Sequence, residues 1–164
     1  VRLLLDKILP ELGDDLAGVK LHVLGGSMPK DLLGRQSERF AAHGFVADVA
    51  PFFTSCRVFV APLRFGGGMK GKIGEALSYG LPVITTDIGA EGFGLIDGVN
   101  ALIADDPDDF AANIGRVYHN KAIWQTLADN GLALAAVTLS PEVAERSIRS
   151  AFDELLPGRG ISAL

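Results

Sequence analysis

Apolar residues recur in the opening segment "VRLLLDKILPEL" at Leu3, Leu4, Ile8 and Leu12, the spacing of one helix face, which predicts an amphipathic helix. The pattern then shortens. "VKLHVLGG" (19–26) is an apolar, partly β-branched run closed by two glycines, as a strand entering a loop at its carboxyl end reads. "SMPKDLLGRQSE" reads as loop or short helix. "HGFV" (43–46) reads as a brief strand, and "ADVAPFFTSC" after it as a turn and a helix with Asp48 near its start.

Three later runs, "RVFVAPL" (57–63), "PVITTD" (82–87) and "NALIADD" (100–106), are nearly continuously apolar, as parallel strands covered on both faces are. The first carries its proline only at the end, where it costs no ladder bond. The glycine-rich "IGAEGFGLIDG" separates the last two. Beyond Asp105 the periodicity turns helical. Asp106, Pro107 and Asp109 supply a capping side chain, a first-turn proline and a carboxylate at the positive helix end. "KAIWQTLADNGLALAA" continues with Trp124, Leu127 and Leu132 set toward a core, and Ser140, Pro141 and Glu142 open a last helix running to about Leu156. Strand and helix alternate throughout, so the expected class is α/β: a Rossmann-like, doubly wound parallel sheet with helices on both faces. With no internal repeat, low-complexity tract or linker, residues 1–164 read as a single domain.

Composition narrows the chemistry. With 48% hydrophobic residues in 164 and a net charge of -5, the chain has a full core and no basic face for nucleic acid, so any phosphate recognition must be local. Cys56 is the single cysteine and sits in an apolar setting as a structural residue; with His22, His43 and His119 so far apart in sequence, no Cys- or His-rich metal site is expected. The acidic run Asp105, Asp106, Asp108 and Asp109 reads as helix-start chemistry rather than a metal site. No cationic-then-apolar leader is present, and the apolar run Leu132–Leu139 is too short to span a bilayer, so the expectation is a cytoplasmic protein, with a peripheral membrane position of the full-length protein left open. The first residues read as the middle of something longer.

The segment "FGGGMKGKIGEALSYG" (65–80) carries the densest signal. A helix N-terminus offers unsatisfied N–H groups and partial positive charge, and Gly66, Gly67 and Gly68 would let an anion approach that backbone. Arg64, Lys70 and Lys72 add full charges beside it. At about 100° per residue, Met69, Ile73, Ala76 and Leu77 share a core face, while Lys72, Glu75 and Tyr79 line one edge. Gly71 and Gly74 are poor helix formers, which predicts something packed close to the backbone there. Spacing alone leaves two readings of Lys72 and Glu75 open: a surface ion pair, or groups facing a cleft. The glycines match neither the phosphate-loop nor the dinucleotide fingerprint.

The ordered string "VAPLRFGGGMKGKIGEALSYGLPVITTDIGAEGF", then "DGVNALIADDPDDFAANI" and "LADNG", resembles the carboxyl-terminal, donor-binding half of GT-B glycosyltransferases of the group 1, or family 4, type. The resemblance covers roughly residues 20–150. It implies an NDP-sugar donor whose sugar is transferred, with retention, to an acceptor held by an amino-terminal domain that this chain lacks, and a sheet lacking its first strand. It implies that Glu75 holds the ribose hydroxyls, that the loop with Met69, Lys70 and Lys72 holds the diphosphate, and that Arg64, Lys72 and Glu75 form the catalytic set, with no cofactor or metal. Gly26, at a strand end, and Phe45 and Val46 are implied at the donor, the last two at the nucleobase; core packing explains that pair equally well. Many members carry a second glutamate eight positions before the one matched by Glu75; Gly67 stands there, and the Gly66–Gly68 backbone takes its place. Glu91 either faces the cleft or satisfies loop N–H groups, and His43 reads as a turn or core residue. The alternatives are a non-catalytic nucleotide-sugar-binding or assembly module and an NDP-sugar epimerase-like domain. By itself the fragment is expected to bind donor weakly, to lack turnover, and to self-associate through an exposed sheet edge.

Overall fold

The structure is a computed structural model that describes residues 1–140 together with Val143, Glu145, Arg146, Ile148, Arg149, Ser150 and Phe152. Helix α1 runs as a π-type stretch, Leu4–Ile8, into an α-helical turn, Leu9–Glu11. Pro10 has no N–H to extend the ladder, and the backbone turns extended at Leu12. Strand β1 (Leu21–Leu24) is followed by α2 (Lys30–Leu33), β2 (Phe40–Gly44), α3 (Ala50–Ser55) and β3 (Phe59–Ala61). Then come α4 (Gly71–Ser78), β4 (Val83–Thr85), α5 (Asp87–Ala90), β5 (Leu102–Ile103), α6 (Pro107–His119) and α7 (Lys121–Thr138).

Among the described residues the ladders between strands are all parallel. β1 pairs with β2, Leu21 opposite Phe40, and β3, β4 and β5 pair in that order, Phe59 opposite Val83 and Ile84 opposite Leu102. Among the described residues no ladder joins β1 to β3. Leu21 of β1 and Val60 of β3 nevertheless pack on the same core, so the two groups of strands share one hydrophobic layer.

The period-2 alternation of the strands divides the core. Ile84 and Leu102 point to one face, where Leu4, Ile8 and Leu12 of the first helix meet Phe110, Ile114 and Val117 of α6. Val83 and Ala101 point to the other, against Ile73, Ala76 and Leu77 of α4, Phe93, and Ala135 of α7. Helices therefore cover both faces, as the alternating pattern predicts. The helix starts are built as expected: Asp106 Oδ1 accepts the Asp108 and Asp109 N–H groups at 2.9 and 3.4 Å, with Pro107 at the first position. Asn120, which the sequence reading did not single out, ends α6 and starts α7, its Oδ1 accepting the Ile123 N–H at 3.0 Å. Ser140 Oγ accepts the Val143 N–H at 3.3 Å, and the end of the last helix near Leu156 lies outside the described residues.

Four expectations shift. The brief strand expected at 43–46 lies at Phe40–Gly44, because Phe40 and Ala42 rather than Phe45 face the core. The glycine-rich connection after β4 starts with a helical turn, α5, capped by the Thr86 hydroxyl, which accepts the Gly89 N–H at 3.2 Å. Met69 is exposed rather than in the core, since α4 begins only at Gly71. Leu132 is exposed, the buried stripe of α7 running through Leu127, Ala128, Gly131 and Ala135 instead.

His22 on β1 and His43 on β2 are joined by a ring-nitrogen hydrogen bond of 2.9 Å, with the edge of Phe52 from α3 against both rings. Burial, then the neighbouring His43 and Lys20, lower the His22 pKa below its ordinary 6.5. The folded chain thus binds fewer protons than the unfolded chain as pH falls through and below about 6.5, so stability is full above that value and is lost on acidification. Thermal melts at pH 7.5 and 5.5 should show a larger drop in Tm for the wild type than for His22→Gln; equal drops would remove the pair from the account.

Candidate functional site

The glycine loop is exposed from Arg64 to Met69, with Gly66 at φ 135° and Gly68 at φ 69°, left-handed conformations that favour glycine. It delivers the chain to α4 without a side-chain cap, so the first-turn N–H groups are not consumed by a local hydroxyl or carboxylate. Gly71 has open space around its Cβ position, whereas a Cβ on Gly74 would lie 2.8 Å from Phe93 Cζ and 2.8 Å from Leu139 Cδ1. Of the two expected close approaches, only the one at Gly74 is found.

The two lysines of this segment have opposite surroundings. Lys72 is 74% exposed and donates to Glu75 Oε2 at 2.9 Å, Glu75 being 32% exposed. That is the surface-pair geometry, worth about 0.2–0.5 kcal/mol. The Lys70 side chain is only 10% exposed, and its Nζ lies 3.6 Å from Glu91 Oε2. That separation is too long for a hydrogen bond, and Nζ has no hydrogen-bond partner among the described residues. Tyr79, expected on the Lys72–Glu75 edge, stacks on Phe53 at 5.1 Å. Ser78 bonds back to the Gly74 carbonyl at 2.9 Å and so finishes the helix.

Arg64 lines a cleft of about 560 Å³ at the carboxyl ends of β3, β4 and β5, with Leu63, Thr86, Ile88, Asp105 and Pro107 on one side and Leu3 and Lys7 of the first helix on the other. In open parallel sheets this is where ligands settle. Thr86 holds the wall together: its hydroxyl donates to the Leu63 carbonyl at 2.6 Å, tying the end of β4 to the segment after β3. Asp105 Oδ1 accepts the Asp87 N–H at 3.1 Å. Lys72 and Glu75 are not on this lining, so this cleft does not collect all the expected groups.

Gly26 lies against the Phe45 side chain, a Cβ there being 3.7 Å from Phe45 Cδ2, which brings together two expected donor contacts from separate strand ends. Phe45 is strongly exposed and Val46 half-buried, so core packing does not account for Phe45. His43 is engaged by His22, and burial pushes the Cys56 thiol up, away from the reactive thiolate. Among the described residues no three His, Cys, Asp or Glu side chains converge. Sequence reasoning missed Lys7, Thr86 and the Lys70–Glu91 pairing. Thr86 carried a signal, standing at a strand's carboxyl end; the other two depend on packing between distant segments.

The chain belongs to the group 1 glycosyl transferases, whose family model matches residues 1–120. It is 34% identical over 128 residues to the uncharacterized glycosyltransferase MJ1178 of Methanocaldococcus jannaschii, which covers 76% of this chain and 33% of that protein. Among solved structures, Anabaena Alr3699/HepE in complex with UDP is similar at TM-score 0.79 and 19% identity, over 93% of this chain and 44% of that one. HepE in complex with UDP-glucose gives 0.72 and 22%, over 89% and 44%. WaaG, a glycosyltransferase involved in lipopolysaccharide biosynthesis, gives 0.72 and 17%, over 92% and 42%. The shared fold is that of GT-B glycosyltransferases, and the chain spans less than half the length of each of these proteins. Among the described residues no helix is long and apolar enough to cross a membrane.

Proposed function

We propose that this chain is the donor-binding part of a glycosyltransferase that moves a sugar, with retention of configuration, from a nucleoside diphosphate sugar to an acceptor carried by another part of the full-length protein. The observation that carries the reading is Lys70: a nine-tenths-buried ammonium without a hydrogen-bond partner among the described residues, at the uncapped start of α4 and next to a glycine loop. A buried cation of this kind fits a negatively charged ligand group. The solved complexes of HepE with UDP and UDP-glucose support a nucleotide sugar as that ligand.

In this reading the α4 N–H groups and Lys70 neutralise the departing diphosphate, and Arg64 faces it from the strand-end cleft. Glu75 meets the ribose hydroxyls, with Lys72 remaining beside it as an exposed, screened cation. Gly26, Phe45 and Val46 bound the base. The chain supplies charge and position rather than a covalent nucleophile, and no metal is needed where protein cations do the neutralising. The Lys72–Glu75 ion pair, closed on itself, also suits a nucleotide-sugar-binding module without turnover; unchanged activity of the full-length protein carrying Lys72→Ala and Glu75→Ala would favour that module.

Calorimetric titration of the full-length protein with UDP-, GDP- and ADP-sugars tests the reading. One of the series should bind clearly more tightly than the others, with loss of binding in Glu75→Ala. A folded protein that binds none of them overturns it.

A further inference from the structure

We propose that Glu91 is a built-in competing anion at this site: its carboxylate stands beside the Lys70 ammonium where a phosphate group of the ligand binds, so that binding exchanges one anion for another. The identity of the ligand rests on the nucleotide-sugar reading above; the exchange itself requires only a phosphate.

The geometry is asymmetric in a way that an ordinary ion pair is not. Lys70 is nine-tenths buried, with its Nζ shielded from solvent, while Glu91 is 65% exposed and can turn outward. At 3.6 Å the carboxylate offsets the lysine charge but makes no hydrogen bond, leaving the three ammonium protons unsatisfied among the described residues. A phosphate oxygen supplies both the charge and the hydrogen bond. Glu91 thus neutralises Lys70 in the free protein without satisfying it.

The backbone around the pair is arranged for such an exchange. Glu91 ends the four-residue helix α5 with extended backbone, ψ 136°, and Gly92 follows at φ 86°. A Cβ on Gly92 would stand 3.5 Å from the Met69 nitrogen and 3.6 Å from its Cα, so the Glu91 loop lies directly along the residue before Lys70. On its far side Phe93 anchors the same loop in the core beneath α4. Outward rotation of the Glu91 side chain therefore opens the Lys70 end without moving the anchored backbone.

While Glu91 occupies this place the apparent affinity for a phosphate ligand is reduced by the fraction of molecules in which the pair is closed. Calorimetric titration with inorganic pyrophosphate, which carries no base or sugar, measures this in the wild type, Glu91→Gln, Lys70→Met and the double variant. Glu91→Gln should bind about fivefold more tightly than wild type, and Lys70→Met about tenfold or more weakly. The double variant should bind no more tightly than Lys70→Met. Equal or weaker binding by Glu91→Gln overturns the proposal, as does a gain that persists without Lys70 or an absence of pyrophosphate binding in wild type and Glu91→Gln alike. Glu91→Gln is isosteric and exposed, so that comparison decides the matter even if Lys70→Met does not fold. The two readings separate cleanly: the predicted pyrophosphate pattern without binding of any nucleotide sugar keeps the exchange and removes the transferase reading, and nucleotide-sugar binding with an inert Glu91→Gln does the reverse.

Discussion

Phe93→Ala is expected to lower the unfolding free energy by about 3–5 kcal/mol, the range for truncating a fully buried aromatic ring. Phe93 is 2% exposed and packs with Ile73, Leu77 and Val83 beneath α4. Its ring edge fills the space that a side chain at residue 74 would claim, which is why a glycine sits in the interior of that helix. Urea denaturation should report the loss, accompanied by a fall in Tm of roughly 6–20 °C. A loss below about 1 kcal/mol would mean that the loop after α5 is not held by this contact. Gly74→Ala should cost about 1–3 kcal/mol through overpacking. Combined with Phe93→Ala it should cost less than the sum, because the cavity left by one change receives the methyl group of the other.

The same contact shows what the amino-acid pattern carries and what it does not. Strand and helix order was legible because β4 is buried on both faces and β3 and β5 beside it are partly so, which forces continuous apolar runs such as Val83–Ile84. The helix start at Asp106 was legible because capping is local, whereas Asn120, an equally local cap, was passed over. Gly74 announced a close approach, yet nothing in its neighbourhood named Phe93 as the partner; that pairing spans a strand and a loop. Met69 was misplaced for a related reason. Helical periodicity extrapolates backward past Gly71, whereas the free glycine backbone lets the helix begin later. The site was legible as a charged glycine loop before a helix, but its internal division of labour was not. Lys70 and Lys72 are equivalent to any pattern argument, and burial alone separates them.

That separation yields the largest functional contrast. In the full-length protein, measured with a donor it binds, Lys70→Met is expected to lower kcat by about 10²–10³-fold, the scale of removing one preorganised charge from a developing anion. Lys72→Met should cost only about twofold. Both substitutions delete one positive charge, two residues apart, so net charge and long-range steering change equally. What differs is the medium. A cation nine-tenths enclosed by protein acts through a low effective dielectric and needs little reorganisation as charge grows on the leaving diphosphate. A cation three-quarters in water, already neutralised by Glu75 at 2.9 Å, is screened before it acts. Comparable losses at the two positions, or the larger loss at Lys72, would show that the exposed lysine moves into the closed complex and that burial in the ligand-free chain does not identify the catalytic charge.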